Sequence, residues 1–110
     1  MPPEPLNPPV FHILLALSED DLHGLGIADW VEETTGGAVA LGPGTLYRSL
    51  AQMTERGLIR EAPPPGAEHD PRRKYYAITP DGRRRVSAEA ARLERLVEVA
   101  RSRSLLPERA

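Results

Sequence analysis

The stretch from Thr79 to Pro107 constrains this chain more than any other feature. Thr79-Pro80-Asp81 is a strong helix start. It supplies a capping hydroxyl, a proline whose fixed φ suits the first turn, and an acid that meets the helix dipole. No further proline occurs until Pro107. The pattern predicts one helix to about Leu106, ~26 residues and ~39 Å long. A chain of 110 residues forms one domain with a small core. A helix this long outreaches that core, so its far end needs a partner. Val86, Ala90, Leu93, Val97 and Ala100 recur at spacings of four and three, and Leu96 and Val99 broaden the seam. The expected partner is a second copy of the same helix.

Asn7-Pro8-Pro9 opens an earlier helix with an N-cap and a proline in the first turn. Val10, Phe11, Leu14, Leu15 and Leu17 give it one apolar side, and Ser18-Glu19-Asp20-Asp21 stops it. A second helix is expected over residues 23–35, with His23 as its cap and Ile27, Trp30, Val31 and Thr34 facing inward. Gly36-Gly37 closes it. A third begins at Gly42-Pro43-Gly44-Thr45 and runs to about Arg56, with Leu46, Leu50 and Met53 as its buried stripe and Gly57 as its stop. Residues 58–62 and 73–79 read as two strands around a turn-rich loop. Tyr76 and Ile78 lie on one face of the second strand, Tyr75 and Ala77 on the other. The expected fold is mainly α with a small β-hairpin. Residues 1–79 form a winged helix-turn-helix with its wing at about 58–79, and residues 80–110 form a C-terminal dimerisation helix and tail.

Several function classes are excluded. The chain has no cysteine, so it has no disulfide, thiolate metal site or cysteine nucleophile. His12, His23 and His69 fall in three separate elements without ligand spacing, so neither a metal nor a cofactor is expected. No nucleophile stands with a base and a third member, and no phosphate-binding glycine loop follows a strand, which argues against an enzyme. The proline-rich start carries no basic residue, unlike a signal peptide. No apolar run approaches the ~20 residues that span a bilayer. The expectation is a soluble cytoplasmic protein with no membrane partner.

The net charge of −2 hides a strong asymmetry. Residues 1–41 hold seven acids and no Lys or Arg, whereas residues 42–85 hold nine basic residues against five acids. The basic middle coincides with the third helix and the wing. At 100° per residue, Arg48, Gln52 and Thr45 point away from the Leu46-Leu50-Met53 stripe, with Ser49 at the edge and Tyr47 on the flank. Arg and Gln read guanine and adenine edges in the major groove. Thr45 sits in a first turn that favours phosphate, and Gly44, like Gly42, leaves room for a sugar-phosphate backbone. Arg72, Arg73 and Lys74 at the foot of the wing suit phosphate or minor-groove contact.

Four segments carry a resemblance: His23-Gly24-Leu25-Gly26-Ile27, Leu41-Gly42-Pro43-Gly44-Thr45-Leu46-Tyr47, Gly57-Leu58-Ile59, and Lys74-Tyr75-Tyr76-Ala77-Ile78-Thr79-Pro80-Asp81-Gly82. Together, in this order and spacing, they resemble the PadR family, in its compact branch with a single short C-terminal helix. The resemblance implies a homodimer joined through the last helices, binding double-stranded DNA and acting as a repressor of transcription. Two positions depart from it: Gly42 stands where the family often has Ser, and Leu25 where it often has Tyr. Some compact members bind planar aromatic ligands beside a tryptophan near the dimer centre. Here the sole tryptophan is Trp30 on the second helix, and the last helix has no aromatic residue. A small-molecule effector is left as a partner of unknown identity.

The function expected is therefore sequence-specific binding of a near-palindromic operator by a homodimer. Its DNA-contacting residues would be Gly44, Thr45, Tyr47, Arg48, Ser49, Gln52, Arg72, Arg73 and Lys74. Its dimer contacts would be Val86, Ala90, Leu93, Leu96, Val97 and Ala100. The rival reading, which the acidic first 41 residues favour, is a winged-helix protein-interaction or antagonist module that binds no DNA. The two differ in whether the cations converge on one face or acids cover it.

Overall fold

In the computed structural model, which describes residues 4–66, 70 and 72–108, the elements run α1 (Pro8–Ala16), β1 (Leu22–His23), α2 (Gly24–Thr34), α3 (Pro43–Glu55), β2 (Ile59–Ala62), β3 (Tyr75–Ile78) and α4 (Pro80–Ser102). This is the mainly helical winged helix-turn-helix expected. His69 lies outside the described residues, as does the end of the tail.

Local chemistry starts each helix. Asn7 Oδ1 accepts the Val10 N–H at 3.0 Å, His23 Nδ1 accepts the Gly26 N–H at 3.1 Å, and Thr79 Oγ1 accepts the Gly82 N–H at 3.0 Å. The start of α3, at Gly42, is the exception and has no side-chain cap, consistent with glycine where a serine would supply one. Helices α2 and α3 each end on a left-handed glycine, Gly36 (φ 61°) and Gly57 (φ 75°). The following N–H groups of Gly37 and Leu58 reach back to Glu32 O at 2.8 Å and Met53 O at 2.9 Å.

Helix α4 stops earlier than expected, at Ser102 rather than about Leu106. Ser104 adopts φ 63°, and the Leu105 N–H bonds Ala100 O at 2.9 Å. This is the same hydrogen-bonded stop, built on a serine. It turns the chain before Pro107 can, which a reading of breaker residues does not detect.

Helix α1 is the centre of the core and packs on α2, α3 and α4. Val10, Ile13, Leu14, Ala16 and Leu17 are buried, together with Ile27, Val31, Leu46, Leu50, Met53, Leu58, Ile59 and Val86. Phe11, Leu15 and Trp30 are only partly buried against this cluster. Ile13 and Ala16 replace Phe11 and Leu15 as fully inward positions, because a helix surrounded by three others buries more than one stripe. Thr34, expected inward, is exposed at the last turn of α2.

The sheet has three strands in the order β1-β3-β2, all antiparallel. Strand β2 pairs Ile59 with Ile78 and Ala62 with Tyr75. Strand β1, unforeseen, pairs Leu22 with Tyr76 and His23 with Tyr75. Two residues show no period, so nothing local announces it. Its effect is to fix the start of α2 against the foot of the wing.

Candidate nucleic-acid interface

The β1–β3 pairing sets α2, α3 and the wing around one cleft. Its volume is about 380 Å³, and its lining is His23, Gly24, Leu25, Tyr47, Arg72, Arg73, Lys74 and Tyr76. Among these described lining residues there are three cations and no acid. The basic wing foot thus meets Tyr47, on the flank of α3, at this cleft, and Arg48 is not among the lining residues. The acids of the first two helices do not line this cleft.

Tyr47 is exposed and leans over the start of α2. A Cβ placed on Gly24 would lie 2.9 Å from its hydroxyl oxygen. Glycine at 24 thus makes room for the Tyr47 ring, which joins two of the resembling segments physically. His23 is half-buried. Beyond capping α2, its Nε2 lies 3.2 Å from Arg73 Nη1, and its ring meets Tyr75 edge-on at 5.2 Å.

The wing cations differ from one another. Asp70 takes Arg72 as a bidentate partner, with Nε to Oδ1 at 3.1 Å and Nη2 to Oδ2 at 3.0 Å. Asp70 O also accepts the Arg73 N–H at 3.0 Å. Arg73 and Lys74 are exposed. Sequence reasoning grouped all three and did not detect the neutralising role of Asp70. The short spacing from Asp70 to Arg72 is the signal that was present.

On α3, Gly44, Arg48 and Gln52 are exposed and Thr45 is half-exposed. No atom lies within 4 Å of a Cβ built on Gly42 or Gly44, so neither glycine is demanded by packing. Gln52 lies away from the wing. It borders a second cavity of about 280 Å³, shared with Asn7, Arg56 and Arg85 among others. Ser49 corrects the sequence reading: it is 9% exposed and sits with the core. It lies only 60° from Leu46 on the helix, which is enough to turn it inward.

The arginines that open α4 are engaged internally. Arg83 Nη2 donates to Ser18 O at 3.0 Å, Arg84 pairs with Asp81, and Arg85 Nη2 donates to Glu4 O at 3.3 Å. Further along, Glu89 is buried. It is held below the usual carboxylate range first by hydrogen bonds from Arg92, against the opposing effect of burial, and further by the Arg92 charge, the Leu6 N–H and the Arg85 charge. The N-terminal segment is thereby tied to α4.

Of the expected dimer contacts, Val86 belongs to the domain core. It lies within the first two turns of α4, still over α1. Ala90, Leu96 and Val97 are exposed, and Leu93 and Ala100 are half-buried. Val99, Leu105 and Leu106 add to this exposed apolar end.

The sequence model of the transcriptional regulator PadR-like family matches residues 13–88. The chain belongs to the PadR-like family. It is a PadR-family transcriptional regulator, and the members of that family are regulators rather than enzymes. A 37.1 kDa protein in transposon TN4556 of Streptomyces fradiae is 34% identical over 84 residues, which is 76% of this chain and 22% of that protein. This chain thus spans about a fifth of that relative. A PadR family transcription regulator from Clostridium difficile superposes with a TM-score of 0.73 at 26% identity, covering 86% of this chain and 95% of that one. Bacillus subtilis PadR in complex with operator DNA superposes with a TM-score of 0.62 at 22% identity, covering 76% of this chain and 46% of that one, a likeness of fold. Among the described residues, no helix of this PadR-like regulator is long and apolar enough to cross a membrane, and no cluster of side chains has the make-up of a metal site.

Proposed function

We propose that this PadR-like regulator is a homodimeric repressor that binds a near-palindromic operator in double-stranded DNA. The observation that carries the reading is the cleft between Tyr47 on α3 and Arg72, Arg73 and Lys74 on the wing, whose described lining holds three cations and no acid. The open first turn of α3 beside it suits entry into a major groove. Arg48 would then meet base edges, and Thr45, Tyr47 and the wing cations would hold phosphates. That the Bacillus subtilis relative is bound to operator DNA supports the same use of the fold here.

The dimeric part of the proposal rests on α4. Leu96, 52% exposed, stands with Val97 and Val99 on a helix that runs past the body. Two such helices packed together would cover these side chains. They would also set two α3 helices about one DNA turn apart, ~34 Å. In the domain division that follows, residues 1–79 bind DNA and residues 80–110 dimerise.

Fluorescence anisotropy on the duplex upstream of the protein's own gene, against a scrambled duplex at two salt concentrations, tests the DNA part. Selective binding that weakens with salt is expected. No binding to either duplex at low salt would overturn it and favour a protein-interaction role. Sedimentation equilibrium tests the dimer, and a Leu96→Glu, Val97→Glu double variant is expected to run as a monomer.

A further inference from the structure

The contact between His23 and Arg73 contains an unresolved hydrogen-bond conflict. His23 Nδ1 accepts the Gly26 N–H at 3.1 Å. A neutral imidazole carries one proton, so with Nδ1 accepting, that proton sits on Nε2. Arg73 Nη1 lies 3.2 Å from the same Nε2, and a guanidinium only donates. Two donors face each other at hydrogen-bond distance. The other tautomer moves the conflict to the Gly26 N–H, and an imidazolium creates it at both nitrogens. An oxygen that accepts from both groups removes it.

We propose that a DNA phosphate oxygen seats between His23 Nε2 and Arg73 Nη1 and accepts a hydrogen bond from each. This rests on the DNA-binding reading above and assigns His23 a role in it that the motif alone does not. The surroundings suit an anion: Arg72, whose partner is Asp70, and Lys74 line the same cleft with Tyr47, and no acid is among the described lining residues. The imidazole is fixed in advance by its cap bond to Gly26, the edge-on Tyr75 ring and the pairing of the His23 backbone with Tyr75. A neutral donor held in place contributes a hydrogen bond without displacing a counterion. Arg73 contributes both, so the two residues leave different signatures on the salt dependence.

Two substitutions separate the two nitrogens of His23. His23→Asn keeps an acceptor for the Gly26 N–H, since asparagine is a good N-cap, and removes the donor at Nε2. His23→Gln places an amide nitrogen near the Nε2 position and gives up the cap. Binding is read by anisotropy on a fluorescent duplex of random sequence at low salt, alongside thermal midpoints. His23→Asn should keep the wild-type midpoint, bind about tenfold more weakly, and leave the salt slope unchanged. His23→Gln should melt lower yet bind within about twofold of wild type. Arg73→Ala should weaken binding and reduce the slope by about one. Wild-type affinity in His23→Asn overturns the proposal. If the wild-type protein binds no duplex, the DNA reading itself has failed. The site is then judged with inorganic phosphate. Its addition should shift the His23 Nε2 proton resonance in wild type and not in Arg73→Ala, and no shift overturns the site. The phosphate titration also decides the matter if the asparagine variant does not fold.

Discussion

Gly82 lies so close to the carbonyl oxygen of Leu58 that a methyl group on its α-carbon would overlap that oxygen. The same methyl would come within 3.0 Å of Ile78 Cγ1. The oxygen cannot retreat freely, because it accepts the Thr79 N–H at 3.1 Å. Gly82→Ala must therefore separate the first turn of α4 from Leu58, at the entry to the wing. The expected cost is about 3 kcal/mol, at the upper end of overpacking effects. Urea unfolding followed by circular dichroism measures it, and a cost under about 0.5 kcal/mol would show that the contact yields easily.

Gly44 presents the opposite case. It lies in the first turn of α3 with ordinary φ and open space where a side chain would go. Gly44→Ala should stabilise the helix by roughly 0.5 kcal/mol. If a sugar-phosphate backbone packs against that turn, the same change weakens DNA binding. Higher stability with lower affinity, measured on one sample, is the expected pair of results. Undiminished affinity would remove Gly44 from the interface.

The wing cations should not contribute equally. Arg73→Ala and Lys74→Ala are each expected to reduce the slope of log affinity against log salt by about one. Arg72→Ala should change it less, because Asp70 already holds that guanidinium. Asp70→Ala should correspondingly raise affinity by freeing Arg72. Arg48→Ala is expected to relax preference at one base position by about 1–3 kcal/mol instead of weakening all sequences alike. Titrations at several salt concentrations on matched and mutated duplexes separate these outcomes.

Stability should fall in mild acid through His23. Burial first, and the Arg73 charge second, hold its pKa below the ordinary 6.5, while Asp29 acts in the opposite direction. Between the folded and ordinary values the unfolded chain binds more protons, so lowering the pH favours unfolding. The contribution is complete above about pH 6.5 and disappears as the pH falls through the folded pKa. The thermal midpoint of the wild-type protein should drop more between about pH 7 and about pH 5 than that of His23→Asn. Parallel curves would show that other groups cause the acid sensitivity.

The four helices and both wing strands were legible because each depends on local signals. Asn7, Thr79 and Pro80 mark starts, Gly36 and Gly57 mark stops, and Leu46, Leu50 and Met53 keep a helical period. What was not legible depends on partners far away in the chain. Strand β1 exists only because Tyr75 and Tyr76 come to lie beside Leu22 and His23. The adjacent arginines at residues 83–85 do not announce their partners in the sequence, and only the fold brings Ser18, Asp81 and Glu4 to them. Val86 fits the apolar repeat of α4 as well as Val97 does, and only the position of α1 shows that the first belongs to the core. Ser104 closes a helix where the usual signal is glycine, so composition gave no warning.

The Thr79 hydroxyl donates to Gly57 O at 2.6 Å while accepting the Gly82 N–H at 3.0 Å. One oxygen thus rivets the last residue of the wing to the stop of α3 and the start of α4. A torque on α4 must either turn α3 with it or shear this joint. Moving α4 relative to the stop of α3 would therefore cost at least one of these two hydrogen bonds.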